Sequence, residues 1–240
     1  MKIAIAIISD IQGNALALET ALDQIYSERP DLIVSLGDVA SGPEPVAVVE
    51  LLRQYRCLTV RGNMDDVILN PVPYTGDDET SRNYAEMDLW CSTQLSDVDR
   101  EFLNSFQPHI AIEMGQSKTL LCFHGSPQSY DDVIESQTPD DVLAQLFTGY
   151  SATVMATGHM HRPMLRHFQN MRLLNPGSIG LPGGGHTLMR PIAEFALVIA
   201  TDNALTVSFC SVEYDAQEFQ RRVLASGMPH SAWYLTKWRL

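Results

Sequence analysis

At 240 residues, 45% hydrophobic and 19% charged, the chain is long enough to bury a substantial core and reads as an ordinary folded protein, not a disordered one. Its formal net charge of −13, from 16 Lys+Arg against 29 Asp+Glu, argues against a broad nucleic-acid surface, so an anionic substrate must find positive charge locally, most economically from a bound metal. The four cysteines, Cys57, Cys91, Cys122 and Cys210, form no C-x-x-C pair, which predicts reduced, buried thiols in a cytoplasmic protein in place of disulfides or cysteine-ligated zinc.

Lys2 to Ser9 is a β-rich run that stops on a bare carboxylate, Asp10. It is too short for a membrane span and lacks the small-residue cleavage site of a signal peptide. Leu16, Leu18, Ala21, Leu22 and Ile25 then recur at helical spacing. "DLIVSLGD" predicts a second strand, "EPVAVVELLRQY" a second helix and "CLTVRGN" a third strand. The first 63 residues therefore read as β-α-β-α-β around a parallel sheet. From about 71 to 108 the composition turns acidic and helical, a loop followed by two helices, the second capped by Ser96 with Asp99 three residues on. This is read as an insertion within a single domain spanning 1–240.

Strand signals resume at "TLLCFHGS", "ATVMATGHMH" and "MRLLNPGS", with "TPDDVLAQLF" as a helix capped by Thr138 and started by Pro139. Two further strands flank an Asp-Asn turn before a short helix from Asp215 and an aromatic tail.

In open α/β sheets ligands bind where the carboxyl ends of the strands converge. The residues predicted there are Asp10, Gln12, Asp38, Asn63, His124, His159 and His161, all oxygen or imidazole donors. Singly, an Asp or Asn after a strand is a turn or cap residue. Two imidazoles one residue apart in "GHMH" are harder to explain by packing, and the joint occurrence points to a metal site suited to manganese, iron or zinc.

The ordered motifs "SDIQGN", "GDVASGP", "VRGNMDD", "FHGSP", "GHMHRP" and "NPGS" resemble those of the calcineurin-like metallophosphoesterases, and within them the small prokaryotic phosphodiesterase branch. The resemblance runs from Asp10 to Ser178. It implies a four-layer α-β-β-α sandwich of two mixed β-sheets flanked by helices, an α/β fold. It also implies two divalent ions, manganese first and iron, zinc, nickel or magnesium as alternatives. One ion would be held by Asp10, Asp38, His161 and the position of Gln12. The second would share Asp38 and be held also by Asn63, His124 and His159. Asp38, Asn63 and His124 would form the catalytic core of a phosphoesterase acting on phosphodiesters or nucleotide-type esters through a hydroxide bridging the two metals. The expected partner is a small phosphate ester, with no nucleic-acid polymer and no membrane. The oligomeric state is left open, a homodimer among the options.

Two departures stand out. Met64 occupies the position where many relatives carry a histidine that can protonate the leaving group, which favours esters with good leaving groups. Gln12 replaces the family's histidine with a neutral, weaker donor, either a weak ligand or a hydrogen-bonding group behind the metal. Together they keep open a second reading, a metal- and phosphate-binding sensor or interaction protein without turnover. Candidate substrate contacts are Asn14, which serves equally as the cap of the helix it starts, Arg61 before the Gly-Asn pair, which serves equally as a surface or ion-paired arginine, and His186 in the glycine-rich "LPGGGHTLMR". Asp65 reads as a solvated turn aspartate ahead of a group that orients Asn63 or donates a proton, and Tyr84 and Trp90 as helix-packing residues ahead of a stacking surface for a base or aryl group.

Overall fold

The structure is a computed structural model that describes residues 2–183 and 188–240. In chain order its first elements are β1 (Lys2–Ile8), α1 (Ala15–Ser27), β2 (Leu32–Ser35), α2 (Pro45–Gln54), β3 (Leu58–Thr59) and α3 (Asn63–Leu69). Two helices follow, α4 (Glu79–Gln94) and α5 (Asp97–Asn104), then β4 (His109–Glu113), β5 (Thr119–Phe123), α6 (Asp140–Leu146) and β6 (Val154–Ala156). The chain closes with β7 (Met164–Phe168), β8 (Met171–Asn175), β9 (Ile192–Thr201), β10 (Leu205–Glu213), α7 (Ala216–Ala225) and α8 (Ser231–Leu235).

The strands form two five-stranded mixed sheets, in the orders β10-β9-β1-β2-β3 and β4-β5-β6-β8-β7. The alternation along β1 shows how they stack. Ile5 and Ile7 join Val34, Leu120, Cys122, Val154 and Val198 in the core between the sheets. Ala6 and Ile8 join the helix-facing core. A strand buried on both faces reads as a continuous apolar run, which is why "KIAIAII" carries no polar residue after Lys2. Each such isoleucine contributes about 1.5–3 kcal/mol of burial. A third core, around Phe123, Leu143, Phe147 and Met155, covers the outer face of the second sheet. The result is the α-β-β-α sandwich, with lopsided outer layers: α6 is the one helix among the described residues that packs into the third core, while the other helices pack on the first sheet.

Local sequence explains most helix starts. Asn14 accepts from the Ala17 N–H, Asp215 from Gln217 and Glu218, and Ser96 and Asp99 form a reciprocal capping box. The expected Thr138 cap on α6 is absent: Pro139 is the N-cap residue, and the Thr138 hydroxyl instead accepts from the Glu135 N–H. The third strand is shorter than "CLTVRGN" predicts: the Val60 N–H still donates to the Ser35 carbonyl of β2, but Val60 also bridges to Gln107 and Arg61 donates to the Gln107 carbonyl, which draws the backbone away from the sheet. Asn63 then opens α3, a helix the sequence reading passes over, along with the antiparallel strands β4 and β7. All four cysteines are free thiols. No described helix is long and apolar enough to cross a membrane.

β1 pairs parallel with β2, and β5 with β6 and β6 with β8, so the loops leaving β1, β2, β5, β6 and β8 emerge at carboxyl ends that share a direction within each sheet. The candidate ligands sit in those loops.

Candidate metal centre

Asp10 and Gln12 follow β1, Asp38 follows β2, Asn63 begins α3, His124 follows β5, and His159 and His161 follow β6. The structure brings these seven together. Asp38, His124 and His159 form one group whose candidate ligand atoms all lie within 4.8 Å of one another, and Asp10, Asp38 and His161 form a second. Asp38 belongs to both.

The hydrogen bonds around the two imidazoles test whether this arrangement fits a cation. His124 Nδ1 lies 2.7 Å from the Leu36 carbonyl, which can only accept, so the proton sits on Nδ1. Nε2 faces two further acceptors, Asn63 Oδ1 at 3.0 Å and Asp38 Oδ2 at 3.4 Å, so a neutral ring would turn its lone pair on both and a second proton or a metal ion would relieve the clash. His161 repeats the pattern, with Nδ1 2.8 Å from the Leu181 carbonyl and Nε2 3.1 Å from Asp10 Oδ1. Asp10 Oδ1 is buried with no hydrogen-bond donor of its own. Acceptors converging on acceptors is a costly arrangement unless a cation lies among them, and an imidazole held by its second nitrogen on a backbone carbonyl is the usual support of a metal ligand.

Electrostatics agree. Burial opposes charge on His124, yet the Asp38 and Asp10 carboxylates and the Leu36 carbonyl outweigh it and push the ring up to about 10. His161 is raised in the same way, against burial, by Asp10 and the Leu181 carbonyl. Burial pushes Asp10 up, but His161, His124 and Ser9 outweigh it and hold the carboxyl below its ordinary range. The pocket therefore calls for positive charge, which divalent ions would supply in place of protons.

The backbone is unusual at these positions. Asp10, Gln12, Asp38, His159 and His161 have φ of 53°, 50°, 55°, 65° and 54°, the left-handed region that non-glycine residues avoid. Each costs on the order of 1 kcal/mol and persists because surrounding hydrogen bonds over-determine it. Asp10 N–H donates to the Gly37 carbonyl and Gln12 N–H to the Asp38 carbonyl. Asp65 does the most here. It is fully buried, and its two oxygens accept from the backbone N–H groups of Asp38, Val39 and Gly62 at 3.1, 2.9 and 2.8 Å. This corrects the solvated-turn reading: Asp65 ties the Asp38 loop to the start of α3. Burial and the Asp38 charge push its carboxyl up to about 7, against the pull of its backbone donors. An aspartate three residues after Gly62, placed to accept from the N–H of the residue that starts a helix, was the available sequence signal. Close packing fixes the opposite side, where a Cβ on Gly158 would meet Ser9 Oγ at 2.2 Å and Asp10 Oδ2 at 3.0 Å.

Family comparison agrees with this geometry. A model of the calcineurin-like phosphoesterase superfamily domain matches residues 1–198. The chain belongs to this superfamily. It is 27% identical over 245 residues to the uncharacterized protein MJ0912 of Methanocaldococcus jannaschii, covering 95% of both chains. The solved structure of a metallophosphoesterase from Sphaerobacter thermophilus superposes with a TM-score of 0.71 at 27% identity, covering 95% of this chain and 96% of that one. Hypothetical protein PH1004 from Pyrococcus horikoshii OT3 shares the fold, with a TM-score of 0.81 at 22% identity and 97% of each chain covered.

In this calcineurin-like chain Gln12 donates its amide nitrogen to Asp38 Oδ2 at 3.1 Å, the orientation a carboxylate acceptor requires. Asp38 Oδ1 accepts from the Met64 N–H at 2.8 Å, so Met64 contributes its backbone and no proton-donating side chain. Above the ligands lies a cavity of about 570 Å³, lined by Gln12, Asp38, Asn63, His159 and His161 and walled by side chains of α4, α8 and the loops.

For two candidate substrate contacts the structure shows the structural role that the sequence offered beside the functional one. Asn14 is fully buried, its oxygen capping α1 through the Ala17 N–H and its nitrogen donating to Tyr214 Oη at 3.1 Å. Arg61 pairs with Asp66 at 2.7 Å and donates to the Leu103 carbonyl at 2.9 Å, stapling α3 to α5. Neither lines the cavity. His186 lies outside the described residues. Residues the sequence reading missed include Asp88, which lines the cavity and accepts from Ser41 Oγ at 2.6 Å. Burial, with Asp38 adding to it, pushes Asp88 up to about 6 against that hydrogen bond. A carboxyl raised on folding costs stability as pH climbs through the ordinary carboxylate range to about 6, and the cost is complete above it. Asp88→Asn is therefore expected to stabilise the protein at pH 8 by on the order of 2 kcal/mol and to change little at pH 4, read from thermal melts at both.

Proposed function

We propose that this chain is a metal-dependent phosphoesterase that hydrolyses phosphodiesters or nucleotide-type phosphate esters. The observation that carries the reading is the pair of acceptor sets sharing Asp38 at the floor of a cavity whose floor residues include no lysine or arginine. Asp10, Asp38 and His161, with Gln12 beside them, would hold one divalent ion, and Asp38, Asn63, His124 and His159 a second. When bound, such ions supply Lewis acidity, lowering the pKa of water and neutralising phosphoryl oxygens.

The chain's own residues set the rest. The Leu36 and Leu181 carbonyls fix the tautomers of His124 and His161. Gln12 and the Met64 N–H hold the two oxygens of Asp38 in place. With Met64 unable to give a proton, esters whose alcohol leaves readily, such as aryl and nucleotide esters, are the fitting substrates.

Protein loaded with manganese is expected to hydrolyse bis(p-nitrophenyl) phosphate, followed by p-nitrophenolate release. No turnover with any divalent ion, across phosphomonoesters, diesters and dinucleoside polyphosphates, would favour the sensor reading. Gln12→His is expected to tighten manganese binding at the first site about tenfold, because imidazole is a better donor than an amide oxygen, as measured by competition with a metal indicator.

A further inference from the structure

The floor of the cavity accounts for one phosphate, and the walls offer more. Tyr84 and Met87 of α4, Met160, Met189 and Tyr234 form a largely apolar chamber. The Tyr84 ring stands edge-on to Trp233, centroids 5.1 Å apart. Methionine walls adapt to the shape of a flat organic group, and aromatic edges pack against its face.

One cation faces this chamber. Lys237 is the sole lysine or arginine among the described lining residues. Its Nζ sits 4.5 Å from the centre of the Trp233 ring, and among the described residues no acidic partner accompanies it. Several arginines of this acidic chain are neutralised by carboxylates, Arg61 by Asp66, Arg166 by Asp140 and Arg222 by Glu19. The backbone carrying Lys237 is fixed: its carbonyl accepts from the Met189 N–H at 2.9 Å, Arg239 donates back to the Met189 carbonyl at 2.7 Å, and the flanking Tyr234 and Trp238 are buried. An ammonium on a fixed backbone beside an apolar wall, with no acidic partner among the described residues, is placed for a second negative charge on the ligand.

We propose that the cavity selects a phosphate ester whose organic part joins a flat ring system to a second anionic group, with Lys237 pairing with that group and Tyr84 and the methionine wall flanking the ring. This rests on the phosphoesterase reading. Lys237 acts as a specificity residue and takes no part in the bond-breaking step.

The test compares thymidine 5′-(p-nitrophenyl phosphate) with and without a 3′-phosphate, probes that share scissile bond, leaving group and base. On manganese-loaded protein the 3′-phosphorylated probe is expected to have a kcat/KM about tenfold higher, carried by KM. That ratio should fall to about one in Lys237→Gln and persist in Lys237→Arg. Calorimetric Kd values for both probes, on manganese-loaded and metal-free protein, should show the same Lys237-dependent ratio. A ratio near one in the wild-type protein, or one unchanged in Lys237→Gln, overturns the proposal while leaving the phosphoesterase reading intact. If neither probe is hydrolysed, the phosphoesterase reading fails and the Kd ratio alone decides the role of Lys237.

Discussion

Asp38→Asn is expected to lower kcat/KM for an aryl phosphodiester by about a thousandfold or more, the scale on which removal of a principal electrostatic group acts. Asp38 is the one carboxylate common to both acceptor sets. Its Oδ1 is fixed by the Met64 N–H and its Oδ2 by the Gln12 amide, both donors. An asparagine must turn its own NH2 toward one of them, so the change removes a charge and also breaks the orientation of the group. The substitution is close to isosteric and relieves the repulsion between Asp38 and buried Asp65, so a thermal melt should remain near that of the wild-type metal-free protein. Activity lost with the fold intact, together with a fall in bound manganese measured by elemental analysis, is the expected pattern. Wild-type turnover in Asp38→Asn would remove this residue from the centre of the site.

The second large effect is structural. Asp65→Ala is expected to destabilise the protein by about 3–5 kcal/mol, because it orphans the buried N–H groups of Asp38, Val39 and Gly62 at about 1–3 kcal/mol each before relaxation. For a domain of this size that is a melting-temperature drop of roughly 10 °C. The neighbouring Asp66 supplies the control. Its side chain is 44% exposed in its pair with Arg61, and Asp66→Ala should cost no more than about 1 kcal/mol. Equal melts for the two variants would contradict the role given to Asp65. Because the same three N–H groups hold the Asp38 loop, metal affinity should fall along with stability in Asp65→Ala and stay unchanged in Asp66→Ala.

Particular residues show how much of this was legible in the chain. The apolar run "KIAIAII" announces a strand buried on both faces, and the carboxylate after it cannot be explained by that burial. "GHMH", "GD" and "GN" fall at predicted strand ends, and the structure gathers all seven candidate ligands in the segments that follow the strands, Asn63 at the start of α3. Partnerships across long separations were not legible. Asp65 serves backbone groups on a loop 26 and 27 residues earlier, and Asn14 meets Tyr214 across 200 residues. In the sequence Asp65 read as a turn residue and Asn14 as a residue starting a helix, and nothing nearby marked either distant partner. The helix α3 was hidden because Gly-Asn serves equally as a strand end and a helix start, and capping by Asp65 decides between them. The cavity walls were the least legible of all, since Tyr84, Met189 and Lys237 meet only when the helical segment and the C-terminal tail close over the same sheet edge.

The most direct test of the central claim is the number of metal ions bound per chain, measured by elemental analysis after reconstitution with excess manganese and desalting, with anomalous scattering to place them. The account predicts two ions that share Asp38, one beside Asp10 and His161 and the other beside Asn63, His124 and His159. Fewer than one ion per chain under those conditions, or scattering peaks away from Asp38, would contradict it.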